Sequence, residues 1–188
     1  MSAHDRDHWD TTYERRIGEG RFPPPDPLLL QFTPPPEADA RALDLAAGLG
    51  QNSLWLAEQG YTVDVMDISR VALNHAYDEA MERRLRTLNF YHVDLDEVQL
   101  GTGVYDVICV FRFLKRELMP QLRAAVRPGG RIVYQTFNIH RLDTMPDANP
   151  DYLLQPGELP GYFADWRLVY HAERGNTAQV VAVKPDAR

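Results

Sequence analysis

From Arg41 onward, short apolar runs rich in β-branched residues alternate with amphipathic segments, and this alternation constrains the fold more than any other feature of the chain. Strands buried on both faces read as near-continuous apolar runs, and strands that alternate with helices are joined by crossovers into a parallel sheet. The pattern predicts strands over 42–45, 62–66, 88–92, 105–110 and 131–137, with helices over 51–59, 69–84 and 115–126. Ser69 is placed to cap the second helix, and Pro128-Gly129-Gly130 lies beyond the end of the third. Segment 94–100 is too short and polar to read as a helix. After Asp165 the pattern changes to two strand-like runs, 167–173 and 177–184, separated only by Arg174-Gly175-Asn176, so the sheet should close with an antiparallel hairpin.

A chain of 188 residues can bury one substantial core but cannot hold a cofactor domain and a separate substrate domain. Its 20 Lys and Arg stand against 27 Asp and Glu, a net charge of -7, which argues against phosphate backbones as ligands and so against nucleic acid as a partner. The single cysteine, Cys109, excludes an internal disulfide and a Cys-rich metal site, so no metal is expected. Cys109 sits in an apolar run and reads as a buried, inert thiol. The polar N-terminus lacks a signal-peptide core and no apolar stretch approaches the ~20 residues of a membrane span. A cytoplasmic protein that contacts no membrane is the expectation. Residues 1–40 read as an arm of the same domain: a short helix over 7–16, stiff proline linkers at 22–27 and 33–37, and a helical turn between them. Residues 41–188 form the domain proper.

The strongest local signal runs from Ala42 to Asn52, where a strand enters the small-residue turn Ala46-Ala47-Gly48-Leu49-Gly50 and then a helix. Small residues let a ligand approach the backbone, and the helix start offers unpaired N–H groups. Asp67, after the second strand, is placed to accept hydrogen bonds from both hydroxyls of a ribose. Asp94, after the third, could reach an adenine amino group. Three strand ends thus converge on one nucleoside-shaped pocket. The alternative is that Asp44 and Asp67 only cap helices, that Gly48 and Gly50 serve helix–sheet packing, and that Asp94 begins a solvated helix.

On these residues the chain resembles the class I S-adenosylmethionine-dependent methyltransferases. Asp44-Leu45-Ala46-Ala47-Gly48-Leu49-Gly50 is similar to the family's first motif, Asp67 to its ribose-binding acid, and residues 121–133 to the helix and Pro-Gly-Gly turn that feed its fifth strand. His8-Trp9-Asp10-Thr11-Thr12-Tyr13, ahead of a proline-rich linker, is similar to the arm of the tellurite-resistance and thiol-methyltransferase-like branch. The resemblance implies a Rossmann-like α/β fold: seven strands, mostly parallel with a C-terminal antiparallel hairpin, and helices on both faces. It implies S-adenosylmethionine as cofactor, held by Asp44, Ala46, Gly48, Gly50, Asn52, Asp67, Ile68, Asp94, Leu95 and Phe111, with Trp9 and Tyr13 either a lid over it or a staple within the arm. Ala46 replaces the first glycine of the motif and is expected at negative φ.

Methyl transfer from a sulfonium requires an acceptor held in line and water kept away, with little covalent help. The acceptor is expected to be a small molecule: a thiol, a chalcogen oxyanion or a carboxylate. His140 is the candidate base, with a surface role as the alternative. Arg112, between Phe111 and Phe113, is the candidate clamp for an anionic acceptor, with an ion pair to Glu117 or Asp106 as its structural alternative. Val110-Phe111-Arg112-Phe113-Leu114 lacks the Asn/Asp-Pro-Pro-aromatic signature of amino-methylating enzymes. Two other readings stay open: a non-catalytic nucleoside-binding or scaffold member of the fold, and a nicotinamide-binding protein, since Gly48-Leu49-Gly50-Gln51-Asn52-Ser53 is one glycine short of the dinucleotide fingerprint.

Overall fold

The computed structural model describes residues 3–186, and side chains from Arg6 onward. Among the described residues seven strands form one sheet, with an antiparallel pair at its C-terminal end. The chain divides into two compact units, Met1–Gln99 and Leu100–Arg188. Among the described residues no helix is long and apolar enough to cross a membrane.

The first unit contains α1 (Ala3–Gly18), α2 (Pro27–Phe32), β1 (Arg41–Leu45), α3 (Gln51–Gln59), β2 (Thr62–Asp67), α4 (Arg70–Glu82) and β3 (Leu88–His92), with strand order β3-β2-β1. The registers pair Leu45 with Met66 and Asp67 with His92, so the carboxyl ends of the three strands lie level. Apolar runs become buried strands as expected, and Leu43, Val63 and Val65 are fully buried. Ser69 caps α4 by accepting from the Ala72 N–H.

The proline linkers are pinned to the core. Asp26 caps α2 through the Leu28 N–H, its own N–H donates to Asn52 Oδ1 at 2.8 Å, and the Tyr61 hydroxyl donates to the Pro34 carbonyl. Leu28 and Leu29 are buried, each stabilising the fold by about 1.5–3 kcal/mol. Segment 26–34 is therefore a core element rather than part of a free arm. Only α1, longer than the predicted 7–16, retains the arm's character: Tyr13 packs on Leu49 and Ala72, with Trp9, Ile17, Phe22 and Val71 around them.

The second unit contains β4 (Tyr105–Phe111), α5 (Met119–Ala125), β5 (Val126–Phe137), α6 (Glu158–Gly161), β6 (Arg167–Arg174) and β7 (Thr177–Val183), ordered β4-β5-β7-β6. Two departures from the sequence pattern have physical causes. Pro120 lacks an amide hydrogen, so the expected helix over 115–126 splits into a 3₁₀ turn, Arg116–Leu118, and the short α5. The strand expected from Arg131 begins at Val126, because Pro128-Gly129-Gly130 forms a bulge inside it: Tyr105 pairs with Val126, and Val107 already pairs with Arg131. A Cβ on Gly130 would lie 2.9–3.0 Å from the carbonyl oxygens of Tyr105, Asp106 and Arg127, so only glycine fits there. The closing hairpin turns as expected through Gly175 and Asn176.

Segment 138–166, silent in the sequence pattern, carries 3₁₀ turns at Ile139–Asp143 and Pro150–Tyr152 before α6. Arg116 holds it: its guanidinium donates to Glu158 at 2.7 Å and to the carbonyls of Asp151 and Leu153. Burial pushes the Glu158 carboxyl up, but the bonds from Arg116, the Gln155 N–H and Tyr162 together hold it below the usual carboxylate range.

The turn after β1 corrects one expectation. Ala46 lies at φ 56°, in the left-handed region, and not at negative φ. The turn needs left-handed residues at 46, 48 and 50, and glycine supplies only the last two. An L-residue there costs roughly 1–2 kcal/mol, of which glycine would return about 0.5–1 kcal/mol as unfolded-chain entropy. Ala46→Gly is therefore expected to raise stability by about 0.5–1 kcal/mol, read as an increased urea midpoint at unchanged slope.

Candidate functional site

The carboxyl edge of the first unit is built around two buried aspartates. Asp44 Oδ2 accepts from Ser53 Oγ at 2.6 Å, tying β1 to the first turn of α3. Asp67 Oδ2 accepts from the Gly48 N–H at 2.7 Å and Oδ1 from the Ser69 N–H at 2.8 Å, so one carboxylate fixes the turn after β1 and the start of α4 together. The Ala47 N–H donates to the Met66 carbonyl, joining the same two strand ends. Asp67 is 4% exposed. Burial raises its pKa, opposed by the N–H bonds from Ser69, Gly48 and Ile68 and assisted by the nearby charge of Asp10.

The glycines meet different constraints. A Cβ on Gly50 would lie 2.7 Å from Ala76 Cβ, so this glycine admits α4. A Cβ on Gly48 would lie 2.5 Å from the Tyr13 hydroxyl, so this one admits α1. Tyr13 thus stands over the backbone of the turn, with its ring 5.9 Å from that of Trp9 and the Arg16 guanidinium 5.4 Å away. Asp10, one turn before Tyr13, accepts from Ser69 Oγ at 2.5 Å and from the Val71 N–H at 3.2 Å. Sequence reasoning did not single out Asp10, although its place between Trp9 and Tyr13 and the capping role of Ser69 were both visible.

The other sequence-predicted residues separate into groups. Ile68 (4% exposed) and Leu95 (2% exposed) are buried beside the ends of β2 and β3. Asp94 Oδ1 accepts from the Asp96 N–H and its carbonyl from the Glu97 N–H, so a tight turn follows Asp94 and not the helix of its alternative reading. Asn52 is buried, with its amide oxygen bonded to Asp26. Ser53, where a dinucleotide fingerprint has its third glycine, is fully buried and bonded to Asp44.

Phe111, Arg112 and His140 belong to the second unit. Phe111 ends β4 half-buried. Arg112 follows at φ 58°, its N–H donating to the Gln135 carbonyl at 2.8 Å. Its exposed side chain has no hydrogen-bond or ion partner among the described residues, and Asp106 pairs instead with Arg127 at 2.9 Å. His140 is largely exposed, with Nδ1 3.5 Å from Asp143 Oδ2, an arrangement of a surface histidine. Cys109 is fully buried in β4.

With this geometry in view, comparison with known proteins places the chain. Hemagglutinin 1 of Eikenella corrodens is 32% identical over 146 residues, 72% of this chain and 47% of that protein. Glycine N-methyltransferase of Rattus norvegicus is 31% identical over 141 residues, 64% of this chain and 44% of that protein. The chain spans about half the length of the curated relatives it matches. Among solved structures, TehB from Haemophilus influenzae shares the fold with a TM-score of 0.67 at 20% identity, over 78% of this chain and 58% of that one. The model of the family described as tellurite resistance protein TehB matches residues 37–181, from just before β1 well into β7 and across both aspartates and the turn they hold, and the chain belongs to that family.

Proposed function

We propose that the chain is an S-adenosylmethionine-dependent methyltransferase acting on a small-molecule acceptor. The observation that carries the reading is the pairing of Asp67 with the Gly48 N–H, which holds a turn of small, left-handed residues level with a buried acid at the next strand end. Membership of the TehB family supports it, as does similarity to a protein named as a methyltransferase. When bound, the cofactor supplies a methyl group on a cationic sulfur, ready for attack by an electron-rich acceptor.

In this reading the chain's own residues bind, orient and exclude water. Asp67 accepts N–H groups from Gly48, Ser69 and Ile68, and its carboxylate keeps one lone-pair direction for a ribose hydroxyl. Withdrawal of Tyr13 from Gly48 opens the backbone of the turn to the nucleoside, Ile68 and Leu95 supply apolar surface, and Asp94 accepts from an adenine amino group. Trp9 and Tyr13 present ring faces to the sulfonium and close the site to water as a lid formed by α1. Asn52 braces segment 26–34 and acts on the site only through it. The nicotinamide reading loses support, because Ser53 is committed to Asp44. A cytoplasmic setting fits a small-molecule acceptor.

On the acceptor side, Arg112 holds an anionic acceptor: a strained backbone and an exposed, unpaired guanidinium at a strand end are the marks of a binding residue. His140 is the weaker candidate, because it faces Asp143 at the surface.

Calorimetry with S-adenosylhomocysteine tests the cofactor reading, and absence of binding at millimolar ligand would refute it. Asp67→Asn is expected to weaken binding at least tenfold, since charge-assisted hydrogen bonds contribute about 1.5–3 kcal/mol. Equal affinity in a folded variant would leave Asp67 as a brace of the turn alone. Tyr13→Ala should raise the dissociation rate of S-adenosylhomocysteine several-fold, read by stopped flow, with the association rate nearly unchanged. Arg112→Leu should raise KM for an anionic acceptor, such as selenite, roughly tenfold while cofactor affinity and melting temperature hold. A matching loss with neutral thiols would argue for a structural role instead.

A further inference from the structure

Residues 21–25, which connect the lid helix to α2, border a cavity of about 230 Å³ in the first unit. Gln51, Trp55 and Glu58 of α3 and Arg83 at the end of α4 complete its lining. Two of the charged groups satisfy each other: Arg83 donates to Glu58 at 3.0 Å and pairs with Glu79 at 2.7 Å, and it lies 5.0 Å over the Phe22 ring. The Arg21 guanidinium, the Trp55 indole N–H and the Gln51 carboxamide have no hydrogen-bond or ion partner among the described residues.

This inventory specifies a ligand. Guanidinium and indole N–H groups only donate, so the occupant must bring acceptor atoms, and a carboxylate meets a guanidinium through two parallel bonds. Phe22, Trp55 and the proline rings offer flat apolar surface, which favours an aromatic body. The volume is below the ~300–1,000 Å³ of drug-sized pockets, which limits that body to about one ring. We propose that this cavity is a binding site for a small aromatic carboxylate, distinct from the turn at 46–50. Because its border is the segment that follows α1, an occupant would also steady the attachment of the lid.

The test is ¹⁹F NMR of 4-fluorobenzoate with the full chain, with 4-fluorobenzylamine as the cationic control. The benzoate resonance is expected to broaden on adding protein, and the amine to bind at least about tenfold more weakly. Arg21→Gln, at an exposed position that should not disturb folding, is expected to weaken benzoate binding about fivefold or more, and Trp55→Leu to abolish it. Saturating S-adenosylhomocysteine should leave the broadening in place. No broadening at millimolar benzoate, equal binding of the amine, or indifference to Arg21→Gln would overturn the proposal. Displacement by S-adenosylhomocysteine would also overturn it, by putting the benzoate at the turn, and would leave the methyltransferase reading intact.

Discussion

The Asp67 carboxylate is the interaction on which the first unit depends. It is the last residue of β2, and its two oxygens take N–H groups from Gly48 and Ser69, which begin the connections to α3 and α4. Burying a carboxylate is costly, and here backbone donors rather than a cation offset part of that cost. Because donors are fixed in the chain, the charge organises two loops at once. The same geometry brings a single acid beside a small-residue backbone, the minimum that recognition of a nucleoside sugar requires. Structure and candidate function therefore rest on one side chain, and Asp67 as a turn brace and Asp67 as a ribose acceptor are compatible roles.

Strand positions were legible because most of the parallel strands carry apolar, β-branched centres, and Asp44, Gly48, Gly50 and Asp67 stood out because they fall at or just after strand ends. What was hidden depended on long-range contacts. The sign of φ at Ala46 follows from the path of the turn, not from the residue, whose own preference is for negative φ. The bulge at 127–130 follows from pairing with β4, although the Pro-Gly-Gly triplet marked the place. Segment 138–166 has neither period, since its buried residues Leu153, Leu154, Leu159, Phe163 and Trp166 are irregularly spaced and Arg116 ties the backbone carbonyls between them.

The first forty residues show how a compositional boundary can mislead. Proline-rich stretches suggested an arm over residues 1–40, yet Leu29 is fully buried and the linkers bond to Asn52 and Tyr61. Proline stiffness serves here to fix the entry and exit of a core element. Only α1 combines an exposed polar face with a few contacts that could break singly. Two of those contacts, Asp10 on Ser69 and Tyr13 on Gly48, touch residues that Asp67 itself holds. A change at the Asp67 carboxylate would therefore be felt at α1 through one intervening residue, which couples the two through contiguous contacts.

Charge use in the second unit separates support from recognition. Arg116, Arg123 and Arg127 are each paired with an acid, Glu158, Asp165 and Asp106 respectively, and each also donates to backbone carbonyls, so all three act as struts. Arg112 differs on both counts, with a left-handed backbone and an exposed guanidinium that makes neither kind of bond among the described residues. In a chain with a net charge of -7, acids to neutralise it are plentiful, so a free arginine at a strand end does not reflect a shortage of partners. A cation left unpaired amid excess negative charge attracts small anions at short range while the surrounding field discourages large polyanions. Under the proposed function, that balance would favour a small oxyanion or carboxylate acceptor over a large polyanion, by the charge distribution of the whole chain as well as by one side chain.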